Sequence, residues 1–278
     1  MTSSADVPPV SEHYARADLE QEILAALRTA GKDLHRLTSD DLAPATEFHV
    51  GGKEATVALA QLAGLRPETR VLDVGGGLGG PARTLASEFG CQVTVLDLTE
   101  EYCRVGERLT ARTGLSDRVT FRHGNALTTP FGDGAFDAVW TQHSTMNVAD
   151  KEQLYREIRR VLRPGGTLAF QEVMAGALSP IYFPVPWART PQLSFLVEPS
   201  AARAQLAAMG FEEKAWLDVS AAALEGYRQR LAAGSAASLP PLGLHLLLGD
   251  DFGEMTRNQI RNLEENRIVL VRGVFARP

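Results

Sequence analysis

Hydrophobic and polar positions along this 278-residue chain fall into two regimes. Over residues 11–65 the apolar positions recur at helical spacing. Leu19, Ile23, Leu24 and Leu27 mark one face of a helix predicted over 15–30, with Gly31 as its stop, and a second helix is predicted over 54–63, with Gly64 behind it. From Arg70 the pattern changes. Short β-branched or apolar runs at 71–74, 92–96, 119–122, 135–141 and 167–172 alternate with helical stretches at 81–88, 100–112 and 151–162. Such alternation calls for right-handed strand–helix–strand crossovers, so the spacing predicts an α/β fold on a parallel sheet.

A helix at 200–209 and strands near 213–218 and 267–276 complete the reading. Two stretches break the rhythm: 175–198 is rich in proline and aromatic residues, and 231–242 in Ala, Gly, Ser and Pro. Loops of this length generally serve as lids or binding loops. The chain therefore divides into an N-terminal helical segment, 1–65, and an α/β domain, 66–278, with cap insertions at about 175–198 and 221–265.

Composition narrows the setting. Hydrophobic content of 44% and charged content of 22% are ordinary for a packed protein, and the formal charge of −6 offers no basic field for nucleic acid. Cys91 and Cys103 are too few for a disulfide framework and match no metal-ligand spacing, so no metal is expected and the cytoplasm is the expected compartment. No run approaches the ~18 apolar residues of a membrane span. Residues 1–10 lack an apolar core and read as a polar leader, not a signal peptide.

The chemistry concentrates where the first strand ends, at Asp73-Val74-Gly75-Gly76-Gly77-Leu78-Gly79-Gly80. Gly75, Gly77 and Gly80 fit the G-x-G-x-x-G turn of dinucleotide sites. Asp73 with Gly75, Gly77 and Gly79 fits the D-x-G-x-G-x-G turn of S-adenosylmethionine (SAM) sites. Asp73 favours the second. A carboxylate at the lip would repel a pyrophosphate, whereas it suits the ammonium of a methionine moiety. Asp97, 24 residues further on and followed by Leu98, is placed to accept hydrogen bonds from a ribose, which both ligands share. Asn125 and Ala126 end the third strand, where a side-chain oxygen and a backbone N–H can meet adenine.

These motifs resemble those of the class I SAM-dependent methyltransferases. The resemblance covers roughly residues 47–210 and rests on Val71–Gly79, Asp97, Phe136-Asp137-Ala138-Val139-Trp140 and Leu162-Arg163-Pro164-Gly165-Gly166-Thr167-Leu168. Phe48-His49-Val50-Gly51-Gly52 and Gly79-Gly80-Pro81-Ala82-Arg83 are similar to the small-molecule group that includes ubiquinone-type C-methyltransferases and sarcosine/dimethylglycine N-methyltransferases. Gly76 stands where many members carry cysteine, and Asn125 where aspartate is commoner. The resemblance implies a Rossmann-like, seven-stranded, mostly parallel sheet in the order 3-2-1-4-5-7-6 with the last strand antiparallel, helices on both faces and a helical or loop cap.

Methyl transfer to a small-molecule acceptor is then the expected activity, by in-line displacement onto N, O or C. Gln142, His143, Ser144 and Asn147 should cluster beyond the fourth strand, with Gln142 toward the cofactor and His143 as general base or positioning group. Glu172, ending the fifth strand, either faces the acceptor or is a buried, paired carboxylate. Acceptor contacts are expected from His49, Tyr182, Trp187, His245, Asn258 and Arg261, the last two sharing a helix face with Asn262. Two alternatives stay open: an NAD-linked oxidoreductase, and a SAM-binding protein that does not methylate.

Overall fold

The structure, a computed structural model, describes residues 14, 18–233 and 240–278. The predicted leader, positions 15–17 of the first predicted helix, and 234–239 of the 231–242 stretch lie outside the described residues. Helix α1 spans Leu19–Thr29, α2 Ser39–Thr46 and α3 Gly52–Leu62. A capping box opens α2: Thr38 Oγ1 accepts the Asp41 N–H, and Asp41 Oδ2 accepts the Thr38 N–H.

Alternating elements follow, with strands β1 (Arg70–Val74), β2 (Gln92–Asp97), β3 (Val119–His123), β4 (Phe136–Gln142) and β5 (Leu162–Ala175). Helices α4 (Gly80–Phe89), α5 (Glu100–Arg112) and α6 (Lys151–Val161) lie between them. Next come α7 (Pro199–Ala208), β6 (Glu212–Asp218), α8 (Ser220–Ala233), α9 (His245–Leu248), α10 (Phe252–Glu264) and β7 (Ile268–Ala276).

The seven strands form one sheet in the order β3-β2-β1-β4-β5-β7-β6. β1 to β5 run parallel, while β7 is antiparallel to both β5 and β6. β5 is longer than its apolar run suggests. Pro164, Gly165 and Gly166 fall within the strand, because the chain end pairs with them: Gly165 N–H donates to Arg277 O, and Arg277 N–H to Gly166 O. That pairing involves residues over a hundred positions apart and has no local signature.

Alternation along β1 divides the core. Leu72 and Val74 join Val139, Leu154, Ile158 and Leu206 on one face, while Val71 joins Leu59, Ala82, Leu85 and Val93 on the other. A third cluster ties the N-terminal helices to the domain, with Leu19, Ile23, Leu27 and Leu42 packed against Tyr102, Val105, Leu109 and Leu247.

Candidate cofactor and acceptor site

A cavity lies at the carboxyl ends of β1 to β4, enclosing about 1110 Å³ with its open mouth included. Such a crevice is where open α/β sheets take their ligands. Its floor is the glycine turn, Gly75 to Leu78, and its walls are Asp97 to Thr99, Gly124 to Ala126, and Gln142 to Thr145. Tyr14, Phe48, His49 and Leu247 reach it from elements outside the sheet.

The turn is shaped by two close approaches. Gly75 has φ of +71°, and a Cβ there would come within 2.4 Å of Ser144 Cβ, whose hydroxyl donates to Val74 O at 2.8 Å. A Cβ on Gly76 would lie 2.4 Å from Asp73 Oδ2. The turn therefore folds directly over the Asp73 carboxyl, which is 1% exposed, and its Oδ2 has no hydrogen-bond partner among the described residues. Burial, reinforced by Glu47 and Asp97, pushes this carboxyl well above the usual carboxylate range. A buried, unpartnered carboxyl is costly unless a donor or cation completes it.

Asp97 fixes the other side of the turn. Its Oδ2 accepts the Gly77 N–H at 2.8 Å and its Oδ1 the Thr99 N–H at 2.8 Å. Burial nevertheless raises its carboxyl, against the lowering effect of those two bonds. Leu98, 44% exposed, forms an apolar lip. Asn125 Oδ1 accepts the Leu127 N–H at 2.9 Å, which locks the turn after β3.

Beyond β4 lie two more unpartnered polar atoms. Gln142 Oε1 accepts from Trp140 Nε1 at 2.8 Å and Thr56 Oγ1 at 3.1 Å; the indole N–H can only donate, so the amide orientation is fixed, and Nε2 is buried with no partner. His143 Nε2 is likewise buried with no partner among the described residues. The His143 backbone is left-handed, with φ of +51°, a strained state for a non-glycine residue that concentrates at functional sites. Burial, with His49 nearby, holds its imidazole well below the ordinary histidine pKa. The two rings meet edge to face at 6.1 Å between centroids. His49 Nε2 is 2.9 Å from Gly52 O, so that nitrogen carries the proton, and burial lowers this ring too.

Residues 72–170 match the model of a methyltransferase domain. Over 195 residues the chain is 32% identical to a sarcosine/dimethylglycine N-methyltransferase of Halorhodospira halochloris, covering 68% of this chain and 67% of that protein. The chain belongs to the class I SAM-dependent methyltransferases. Similarity of 36% over 149 residues extends to a glycine/sarcosine/dimethylglycine N-methyltransferase of Actinopolyspora halophila, covering 52% of this chain but only 25% of that longer relative. The fold is shared with the crystal structure of the [4+2]-cyclase SpnF, at a TM-score of 0.68 and 24% identity, with 99% of each chain covered. One methyltransferase-type scaffold therefore accompanies differently named activities, and the site has to carry the functional argument.

Within this methyltransferase the cavity brings together Asp73, Gly75, Gly77, Asp97, Leu98, Asn125, Ala126, Gln142, His143 and His49. Gly79 instead caps α4, next to the cavity but outside its lining. Five residues expected at the acceptor are placed elsewhere. Tyr182 is sandwiched by the guanidinium groups of Arg261 and Arg267, at 3.8 and 4.5 Å from its ring centre. Arg261 also pairs with Glu265 at 2.7 Å. Asn258 Nδ2 donates to Pro184 O, and Asn262 bonds both backbone groups of Tyr182. Trp187, 2% exposed, donates from Nε1 to Ser194 Oγ. His245 packs edge to face on Phe252. These side chains fasten the 176–195 insertion and α9 to α10 and do not line the cavity. Helical spacing placed Asn258, Arg261 and Asn262 on one face, but not which neighbour that face meets.

Three further residues support the site: Asn147 and Glu172, which the sequence places near it, and Lys151, which it does not. Lys151, 6% exposed, donates to Thr145 O, Val148 O and Phe195 O, and burial brings its ammonium down to about 8. Glu172, outside the cavity lining, accepts the Ser144 and Thr145 N–H groups at 3.3–3.5 Å beneath the turn that carries His143. Asn147 accepts from Tyr14 Oη and donates to Trp187 O and Leu193 O, joining the N-terminal segment to the insertion.

Proposed function

We propose that this chain binds SAM in the cavity and transfers its methyl group to a small-molecule acceptor. The observation that carries the reading is the buried, unpartnered Oδ2 of Asp73 beneath the Gly76 backbone. That atom calls for a cationic or hydrogen-bond-donating ligand, which fits an aminoacyl ammonium, directly or through a water, and opposes a pyrophosphate. The family match points the same way, so the NAD-linked alternative is set aside.

In this reading Asp97 receives the ribose hydroxyls, Leu98 and Ala126 flank the adenine, and Asn125 meets its edge. Gly75, Gly77 and Gly79 shape the turn, and Gln142 lines the wall where cofactor and acceptor meet. Bound SAM supplies a methyl carbon on a sulfonium, already activated toward a nucleophile. The protein's task is to hold an acceptor in line with that carbon, keep water out and take up a proton where one is released. His143 is placed for the last role and His49 beside it for acceptor contact. On this reading the described residues of the N-terminal segment and of the 221–265 insertion contribute to the cover, consistent with Tyr14, Phe48 and Leu247 in the lining, while the 175–198 insertion packs outside it.

The acceptor is a small molecule and not nucleic acid, since the ionisable lining among the described residues is acidic or histidine. No helix among the described residues is long and apolar enough to cross a membrane, and Cys91 and Cys103 are free and buried, which fits a cytoplasmic protein. Calorimetric titration with SAM and then NAD tests the cofactor; stoichiometric binding of SAM and none of NAD is expected. Mass spectrometry of turnover mixtures separates methyl transfer from SAM binding without it, by a gain of one methyl in the acceptor.

A further inference from the structure

Successive side chains on an extended strand point to opposite faces. At the end of β4 the left-handed backbone of His143 breaks that alternation, and Gln142 and His143 line the same cavity. Each brings one buried atom without a partner among the described residues, Gln142 Nε2 and His143 Nε2. The first can only donate a hydrogen bond. The second, in a ring kept neutral, can accept one. Two orphaned atoms of complementary sense, on adjacent residues lining one cavity, constrain what can bind there.

We propose that the methyl acceptor is an uncharged hydroxyl compound on an apolar skeleton, held between Gln142 and His143 through its oxygen. This rests on the methyl-transfer reading above and narrows it. Valence decides which acceptor fits. A hydroxyl oxygen has one O–H and two lone pairs: the proton goes to His143 Nε2, one lone pair accepts from Gln142 Nε2–H, and the other attacks the methyl carbon. A neutral amine has a single lone pair, which it needs for attack, so Gln142 would stay unpaired. A carboxylate-bearing acceptor would find no cationic partner, since no lysine or arginine among the described residues lines the cavity. The outer wall suits an apolar skeleton: Tyr14 packs edge-on against Phe48 at 6.2 Å and lies 6.0 Å from Tyr102, with Leu247 completing the surface.

The step balances. The acceptor oxygen forms the new O–C bond as the methyl–sulfur bond breaks, with its electron pair left on sulfur, and the O–H proton passes to His143 Nε2. One hydroxyl, one sulfonium and one imidazole become one methyl ether, one thioether and one imidazolium. The positive charge moves from sulfur to the ring, so the reacting groups carry a single positive charge throughout. His143 needs no second cation to be accommodated, which suits a buried imidazole.

The test uses the full chain saturated with S-adenosylhomocysteine and titrated with 2-naphthol, 2-naphthoate and dimethylglycine, after SAM binding itself has been measured. 2-Naphthol is expected to bind at least tenfold more tightly than either of the others. His143→Asn, a side chain that tolerates the left-handed backbone, is expected to lower that affinity at least tenfold while keeping the thermal stabilisation by SAM, which verifies its fold. The proposal is overturned if 2-naphthoate or dimethylglycine binds as tightly, if His143→Asn leaves 2-naphthol binding unchanged, or if SAM binds and 2-naphthol does not. Failure of SAM itself to bind would strike the methyl-transfer reading instead.

Discussion

The Asp97 carboxylate holds the Gly77 backbone N–H at 2.8 Å, so the second strand's terminal acid also sets the conformation of the first strand's glycine turn. One side chain thus ties the end of β2 to the turn that follows β1. Asp97→Ala is expected to weaken SAM binding at least tenfold, about the ~1.4 kcal/mol of a lost charged hydrogen bond, with the loosened turn adding to the loss. Calorimetry measures it, and an unchanged dissociation constant removes Asp97 from the cofactor site.

Gly76→Ala tests the fold of the turn over Asp73. The new methyl would lie 2.4 Å from Asp73 Oδ2 and 2.9 Å from Val95 Cγ1. Overpacking of this kind costs about 1–3 kcal/mol. The variant should lose SAM binding and unfold at a lower temperature. Full affinity would show that the buried carboxyl is not the anchor.

Glu172 should leave a signature in stability against pH. Burial raises its carboxyl from an ordinary 4.5 to about 7, so the folded protein binds more protons than the unfolded chain across that interval. The stabilisation given by the neutral carboxyl is complete below pH 4.5 and is lost as pH rises through about 7. Glu172→Gln keeps an acceptor oxygen for the Ser144 and Thr145 N–H groups and does not titrate. Relative to this variant, the ligand-free wild type should lose on the order of 3 kcal/mol between pH 4.5 and 8. Urea unfolding at several pH values gives the difference, and parallel curves would refute the assignment.

Lys151→Ala removes the donor shared by three loop carbonyls. Leaving buried acceptors unpaired costs about 1–3 kcal/mol each when no water replaces the donor. A thermal midpoint lowered by several degrees is expected, together with faster hydrogen exchange at Phe195, whose N–H bonds Met146 O. A wild-type midpoint would mean that the loop holds without it.

Arg261 gives the opposite expectation. It belongs to the exposed cluster around Tyr182 and Glu265. Arg261→Ala should therefore change kcat/KM for the acceptor by less than twofold. A tenfold fall in steady-state assays would return this face to the acceptor site.

What the sequence determined by itself was local and periodic. The 3.6- and 2-residue repeats placed α5 and β2 within a residue, because burial of one face dictates both. The glycine turn, Asp97 and the β4 terminus were legible because their chemistry needs particular residue types at fixed offsets from strand ends. The seven-strand order came through the family motifs and is realised in the sheet. What only the tertiary structure decided depends on partners distant in the chain. Tyr182 became a strut of the insertion because α10 supplies Arg261 and Asn262 beside it, and Trp187 because Ser194 and Asn147 bond it. Lys151, opening α6, and Glu172, late in β5, became supports because the fold brings both against the 144–148 segment. Composition says that such groups must be satisfied, and the packing of elements far apart in sequence decides by whom.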